Sequence, residues 1–156
     1  MERTLAVIKP DGVQRRLVGR IVRRFEDKGL RLAGMKLLQF DESLARRMYA
    51  VHEGKDFYEP LVRFILSGPV VAMVWEGAGA VSVVRALLGA TFGREAAPGT
   101  IRGDFGMSRR HNLVHGSDSP QSAAREIALL FAPEELVEYE PADRGWVYAF
   151  QDGQTI

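Results

Sequence analysis

The chain of 156 residues contains no cysteine. Disulfide frameworks, thiolate zinc sites, iron–sulfur clusters and cysteine nucleophiles are therefore excluded. Long apolar runs are missing too. Leu5 to Ile8 and Val70 to Trp75 are both too short for a signal peptide or a membrane span. The expectation is a cytoplasmic protein without a membrane partner. Neither sign of charge is in excess, with 21 basic residues against 20 acidic ones and a formal net charge of +1. A protein whose main task is coating nucleic acid carries a larger basic surplus. Lysine is scarce and the basic residues are mostly arginine, a pattern of genome composition or thermal adaptation. Several signatures are absent: GxxxxGK[ST], HExxH, GxSxG and the EF-hand loop, while Gly77-Ala78-Gly79 does not continue into GxGxxG.

What remains is an ordinary globular composition, 46% hydrophobic and 26% charged, long enough to bury a core. No linker, repeat or low-complexity segment interrupts it, so one domain over residues 1–156 is expected. Arg3 to Lys9 reads as a strand stopped by Pro10, and Asp11-Gly12 as a turn. Leu17, Val18, Ile21, Val22 and Phe25 recur at helical spacing, and Gly29 ends that helix. Arg31 to Phe40 is extended. A helix follows from Asp41-Glu42-Ser43 to about Glu53, and Asp56 caps another running to about Ser67. Pro69 to Trp75, nearly all apolar, reads as a central strand covered on both faces. Gly79 to Leu88 is helical. Gly89 to Leu113, with five glycines and one proline, has no clear period. Leu113 to His115 suggests a short strand. Ser119-Pro120 is a cap followed by a proline, opening a last helix whose apolar face is Ala123, Ala124, Ile127, Ala128 and Phe131. Trp146 to Phe150 is an aromatic tail. This order points to a compact α+β sandwich.

Histidine occurs three times, as His52, His111 and His115. His115 has suggestive company. Asn112 and Ser117 offer hydrogen bonds, Gly116 permits close approach, and Glu126 on the following helix can orient the ring. Lys9 stands at a strand end. Arg85 and Arg102 flank the glycine-containing segment, with Thr91 and Thr100 between them. Guanidinium forks and hydroxyls suit phosphate oxygens, although any one arginine is more often a solvated charge. Tyr49 and Phe57 offer rings to a nucleobase, although single aromatics are more often core. On residues alone the reading is a phosphate-handling site with a histidine.

Four segments carry a resemblance: Ile8–Val13 (IKPDGV), Ser67–Gly77 (SGPVVAMVWEG), Pro98–Phe105 (PGTIRGDF) and Asn112–Ser119 (NLVHGSDS). Together, and in this order, they resemble nucleoside diphosphate kinase. The similarity runs almost end to end, from Glu2-Arg3-Thr4 to Trp146-Val147-Tyr148. The resemblance implies a ferredoxin-like sandwich, a four-stranded antiparallel sheet covered by helices. It implies transfer of the γ-phosphate of a nucleoside triphosphate to a nucleoside diphosphate, in ping-pong fashion, through a phosphohistidine at His115 Nδ1. Glu126 matches the carboxylate that holds the other ring nitrogen, with Ser117 supporting it and Tyr49 near the ring. Lys9 and Asn112 match the contacts to the transferring phosphate and the sugar 3′-hydroxyl. Arg85, Thr91 and Arg102 match the phosphate clamp, and Phe57 with Leu61 the stacking surface for the base. Stacking without reading base edges accounts for low base specificity. Magnesium is expected to arrive with the nucleotide, with no protein metal site. The expected partners are nucleoside di- and triphosphates and further copies of the chain, in tetramers or hexamers built from dimers.

The chain departs from the family pattern at several positions. Phe92-Gly93 stands where the family usually has Asn-Pro, which removes a rigid element from that loop. Arg109 replaces a common apolar residue, and its guanidinium is expected on the second face of the base. Arg16 replaces a common glycine. Ala149 to Ile156 extends past the usual ending. Two other readings compete: a catalytically silent nucleotide-binding module, and nucleic-acid binding through Arg15, Arg16, Arg20, Arg23 and Arg24. The presence of His115, Lys9 and Asn112 argues against the first, and an ordinary solvated helix face against the second.

Overall fold

The structure is a computed structural model and describes residues 1–155. Ile156, the last residue of the C-terminal extension, lies outside the described residues. Four strands, β1 (Glu2–Ile8), β2 (Arg31–Leu38), β3 (Val70–Gly77) and β4 (Val114–Gly116), form one antiparallel sheet in the order β2-β3-β1-β4. Eight helices surround or follow it: α1 (Pro10–Gln14), α2 (Val18–Asp27), α3 (Glu42–Met48), α4 (Tyr58–Ile65), α5 (Ala80–Leu88), α6 (Ile101–Phe105), α7 (Pro120–Leu130) and α8 (Arg144–Val147). This is the ferredoxin-like α+β sandwich.

The period-two alternation of strands explains the two cores. Ile8, Val71, Met73 and Trp75 point to one face, where Ile21 and Phe25 of α2 and Val84 and Leu88 of α5 bury them. Leu5, Val7, Val70, Ala72 and Val74 point to the other, against Ala45 and Met48 of α3, Val62 and Ile65 of α4, and Leu130 of α7. The central strand β3 is apolar throughout because helices cover both its faces. His115 pairs with Val7 in the short edge strand β4, so the central sheet fixes its height. No helix among the described residues is long and apolar enough to cross a membrane.

The structure corrects several local expectations. Asp11-Gly12 is not a turn but the middle of α1, which begins on Pro10, whose fixed φ suits a first helical position. The helix after Asp41 ends at Met48, and Ala50–His52 is a separate 3-10 turn. Asp56 caps nothing: Phe57 is the residue before α4, without a side-chain cap. Gly89 to Leu113 is not structureless. It holds a 3-10 turn at Gly93–Glu95 and α6, whose cap Thr100 accepts the Gly103 N–H at 3.0 Å. The aromatic tail, Trp146 to Phe150, overlaps the end of α8 and leads into a hairpin of two further strands, β5 (Phe150–Gln151) and β6 (Gln154–Thr155), outside the main sheet.

Candidate active site

Lys9 follows β1 and is buried. Its main-chain N–H donates to Leu113 O at 2.8 Å, and its Nζ donates to Asn112 Oδ1 at 2.8 Å. Asn112 Nδ2 donates in turn to Thr91 O at 2.9 Å. One amide thus ties the strand end to the loop after α5. Burial first, and then the Arg102 charge, lower the Lys9 ammonium to about 8, against an upward pull from Asp11. Lys9 is charged at neutral pH and gives up its proton just above it.

Arg102, on α6, is also buried. Its Nε donates to Asn112 O at 3.1 Å, and its two terminal nitrogens to Gly89 O at 3.0 Å and Val114 O at 2.6 Å. A guanidinium has more N–H donors than these, so Arg102 organises the loop and still has donors for an anion. Burial, then the charge of Arg85, lower it to about 10, and it remains charged at neutral pH.

His115 lies partly exposed in β4. Its Nε2 is 3.0 Å from Glu126 Oε2, and Ser117 Oγ donates to the same oxygen at 2.6 Å. Glu126 reaches this point because α7 starts sharply: Ser119 accepts the Ser122 N–H at 3.1 Å and Pro120 follows. Ala123, Glu126 and Leu130 then share the buried face. Burial pushes the Glu126 carboxyl up, but the hydrogen bond and charge of His115, the Ser117 hydroxyl and Arg125 together hold it below the usual carboxylate range. An ionised carboxylate only accepts, so Nε2 carries the imidazole proton and Nδ1 presents a lone pair. The Tyr49 ring meets His115 edge-on, with centroids 6.2 Å apart. Burial, then the Glu126 charge, push the Tyr49 hydroxyl well up, so it stays neutral.

The remaining residues form the rim. Phe57 is 48% exposed, a free ring at the entry to α4, and half-buried Leu61 lies one turn on. Arg85 is exposed on α5, with its charge felt at both Arg102 and Asp118. Thr91 is exposed, and its carbonyl serves Asn112. The structure therefore brings Lys9, Asn112, Thr91 and Arg102 into one bonded group, and His115, Glu126, Ser117 and Tyr49 into another. Arg109 is exposed, as is the Phe57 ring. The cation over that ring is Lys55, 5.6 Å from its centroid.

Sequence reasoning missed His52, Lys55, Asp11 and Leu113. The His52 ring lies between Tyr49 and Phe57, and Lys55 Nζ is 3.2 Å from its Nδ1. Burial, then Lys55 and His115, lower His52, which stays a neutral acceptor at pH 7. Its spacing of three from both Tyr49 and Lys55 was a legible signal for a helical turn. Asp11 and Leu113 left no such signal. Among the described residues, no group of three His, Asp or Glu could hold a metal ion.

Four of the five arginines proposed for nucleic acid are engaged within the chain, and the fifth, Arg16, is exposed. Arg15 donates to Phe105 O at 2.7 Å, Arg20 lies 4.3 Å over the Phe105 ring, and Arg23 pairs with Asp27 at 3.1 Å. Arg24 pairs with Asp104 and donates to Gly99 O at 2.7 Å. The Phe92-Gly93 departure is also explained. Gly93 N–H donates to Ser108 O at 3.2 Å, and its Cα lies against the Gly106 main chain where a Cβ would clash. Proline can offer neither the donor nor the space.

The family model for nucleoside diphosphate kinase matches residues 2–136. A nucleoside diphosphate kinase of Bacillus licheniformis is 57% identical over 148 residues, covering 95% of this chain and 100% of its own length. One from Picosynechococcus is 55% identical over 148 residues, covering 95% and 99%. A solved structure of a halophilic nucleoside diphosphate kinase from Halobacterium salinarum, in complex with CDP, superposes with a TM-score of 0.93 at 55% identity, covering 95% of this chain and 99% of that one. Matches of this length and identity, on a fold that assembles a histidine, a carboxylate and buried cations, place the chain in the nucleoside diphosphate kinase family, as a phosphotransferase acting on nucleotides.

Proposed function

We propose that phosphate passes from a nucleoside triphosphate to a nucleoside diphosphate through a covalent phosphohistidine at His115. The carrying observation is the pair His115 Nε2–Glu126 Oε2 at 3.0 Å, which leaves Nδ1 as the free nucleophile. Nδ1 attacks the γ-phosphorus in line. The bond from γ-phosphorus to the bridging oxygen breaks, and the diphosphate departs with that electron pair. A terminal oxygen of a second diphosphate then attacks the phosphohistidine, the P–N bond breaks, and neutral imidazole returns. Glu126 stabilises the positive charge that the ring gains during each step, and Ser117 keeps Glu126 in place.

Lys9 offsets the charge on the transferring group, and Asn112 holds Lys9 toward it. Arg102, Arg85 and Thr91 clamp the leaving phosphates. Tyr49 limits the tilt of the His115 ring. Phe57, beside Leu61, carries the base by stacking alone, so base specificity is low. Arg109 supplies a second stacking surface. Magnesium is part of the substrate in this reading: it comes on the nucleotide phosphates and partly neutralises them. A cytoplasmic location, assembly into tetramers or hexamers from dimers, and one catalytic domain over the whole chain belong to the same reading.

The test is incubation with γ-labelled ATP and magnesium without an acceptor. Label is expected on the protein in an acid-labile, base-stable form, discharged by GDP, and lost in His115→Ala while retained in His111→Ala. No label on folded, nucleotide-binding wild type would overturn the reading.

A further inference from the structure

The phosphoryl-transfer reading makes no use of Asp11. Its Oδ2 accepts the Leu113 N–H at 3.1 Å, while its Oδ1 is buried without a hydrogen-bond partner among the described residues. Leu113 is fully buried and holds φ at +75°, the left-handed region, where a leucine carries strain of about 1 kcal/mol or more. Such a conformation persists only where the surroundings over-determine it. Here both main-chain groups of Leu113 are tied to the β1–α1 junction: its carbonyl to Lys9 N–H at 2.8 Å, its N–H to Asp11. Gly12 makes the approach possible, because a Cβ there would stand 2.6 Å from Ile8 Cγ2 and 3.2 Å from Leu113 O. The strained residue sits between Asn112, which holds Lys9, and Val114, which opens the strand carrying His115.

We propose that Asp11 is a positioning residue for phosphoryl transfer: its carboxylate locks the strained Leu113 peptide, fixing the Lys9–Asn112 pair against His115, and sets a negative charge near the Lys9 ammonium. This role rests on the reading of Lys9 as the cation at the transferring phosphate. The charges that face Lys9 are Arg102 from α6 and Asp11 from α1. Removing Asp11 leaves Lys9 with a like charge alone. The unpartnered Oδ1 fits the same role, since a buried carboxylate oxygen is costly unless a nearby cation offsets it.

The experiment compares wild type, Asp11→Asn and Asp11→Ala. Asn keeps an acceptor for Leu113 and removes the charge; Ala removes both. The chain has four lysines, Lys9, Lys28, Lys36 and Lys55, so the Lys9 titration can be followed by carbon-13 NMR at Cε, with Lys9→Arg assigning the signal. In Asp11→Asn the Lys9 midpoint is expected to fall below wild type, and the alkaline limb of kcat/KM to move to lower pH with it. In Asp11→Ala kcat is expected to fall about a hundredfold, with KM changed less than about threefold. If Asp11→Ala fails to fold, the isosteric Asn variant decides. A Lys9 titration and pH profile in Asp11→Asn that coincide with wild type would overturn this role alone. A wild type without any transfer activity overturns both this role and the reading it rests on.

Discussion

Lys9 is charged where charge is expensive. Its ammonium is buried, and its folded value of about 8 lies below the unfolded one. Between these two values the unfolded chain binds the extra proton, so stability rises with pH across that window. The penalty is complete below about pH 8 and fades toward about pH 10.4, with an upper size of about 3 kcal/mol. Lys9→Met is therefore expected to melt higher than wild type at pH 7, with a smaller advantage at pH 10, while losing phosphoryl transfer. Thermal denaturation at the two pH values checks the sign. An equal or lower melting temperature at pH 7 would mean that the lost bond to Asn112 Oδ1 outweighs the relief of the buried charge. If Lys9 is the cation at the transferring phosphate, activity is expected to fall in alkali near its own titration, because a neutral Lys9 would no longer offset phosphate charge.

Among the elements, the loop between α5 and β4 carries the Phe92-Gly93 pair. A proline in place of Gly93 matches the common Asn-Pro and, by restricting the unfolded chain, is the kind of change that ordinarily stabilises. In this chain it is expected to do the opposite. Gly93→Pro loses the N–H donated to Ser108 O and forces its ring against Gly106. The expected loss is about 2 kcal/mol, read by urea denaturation, with a rise in nucleotide KM as Arg102 on neighbouring α6 loosens. A higher urea midpoint would show that the loop relaxes around proline. The strands and long helices were legible because their periodicity is set by burial on one or two faces, as in β3 and α2. The short helices were not. Neither α1 nor α6, at five residues each, completes enough turns to print a 3.6-residue period. Single residues differ in the same way. His115 was legible from its polar neighbours and from motif resemblance. Asp11 was not, because its partner is a main-chain N–H about a hundred positions away, made available only by the left-handed turn at Leu113.

Across the whole molecule, one ionic network joins the far end of the sheet to the C-terminal segment. The buried Arg31 guanidinium of β2 lies 2.7 Å from Glu76 of β3 and 3.1 Å from Glu138, and also donates to Val137 O at 2.9 Å. Arg3 of β1 bonds the same Glu76 at 2.9 Å and pairs with Glu138 as well. Glu76 thus holds three strands and, through the arginines, the segment beyond residue 136 where the family match ends. Exposed ion pairs contribute little, but this one contains a nearly buried guanidinium that keeps only the exposed Glu138 as a charged partner when the Glu76 carboxylate goes. Glu76→Gln is expected to cost about 2 kcal/mol at pH 7, with activity retained because the network is distant in the chain and sheet from His115. The pH dependence gives the sharper test. Burial raises the Glu76 carboxyl, but Arg31 and Arg3 outweigh it and hold it below the usual carboxylate range. A carboxyl depressed in the folded state stabilises fully above its unfolded value, and that contribution is lost as pH falls through the folded value. The stability gap between wild type and Glu76→Gln is therefore expected to be constant near neutrality and to close in acid, as the wild-type carboxyl takes up its proton. A gap that persists unchanged down to low pH would assign the loss to the geometry of the amide rather than to the charge that binds the two arginines.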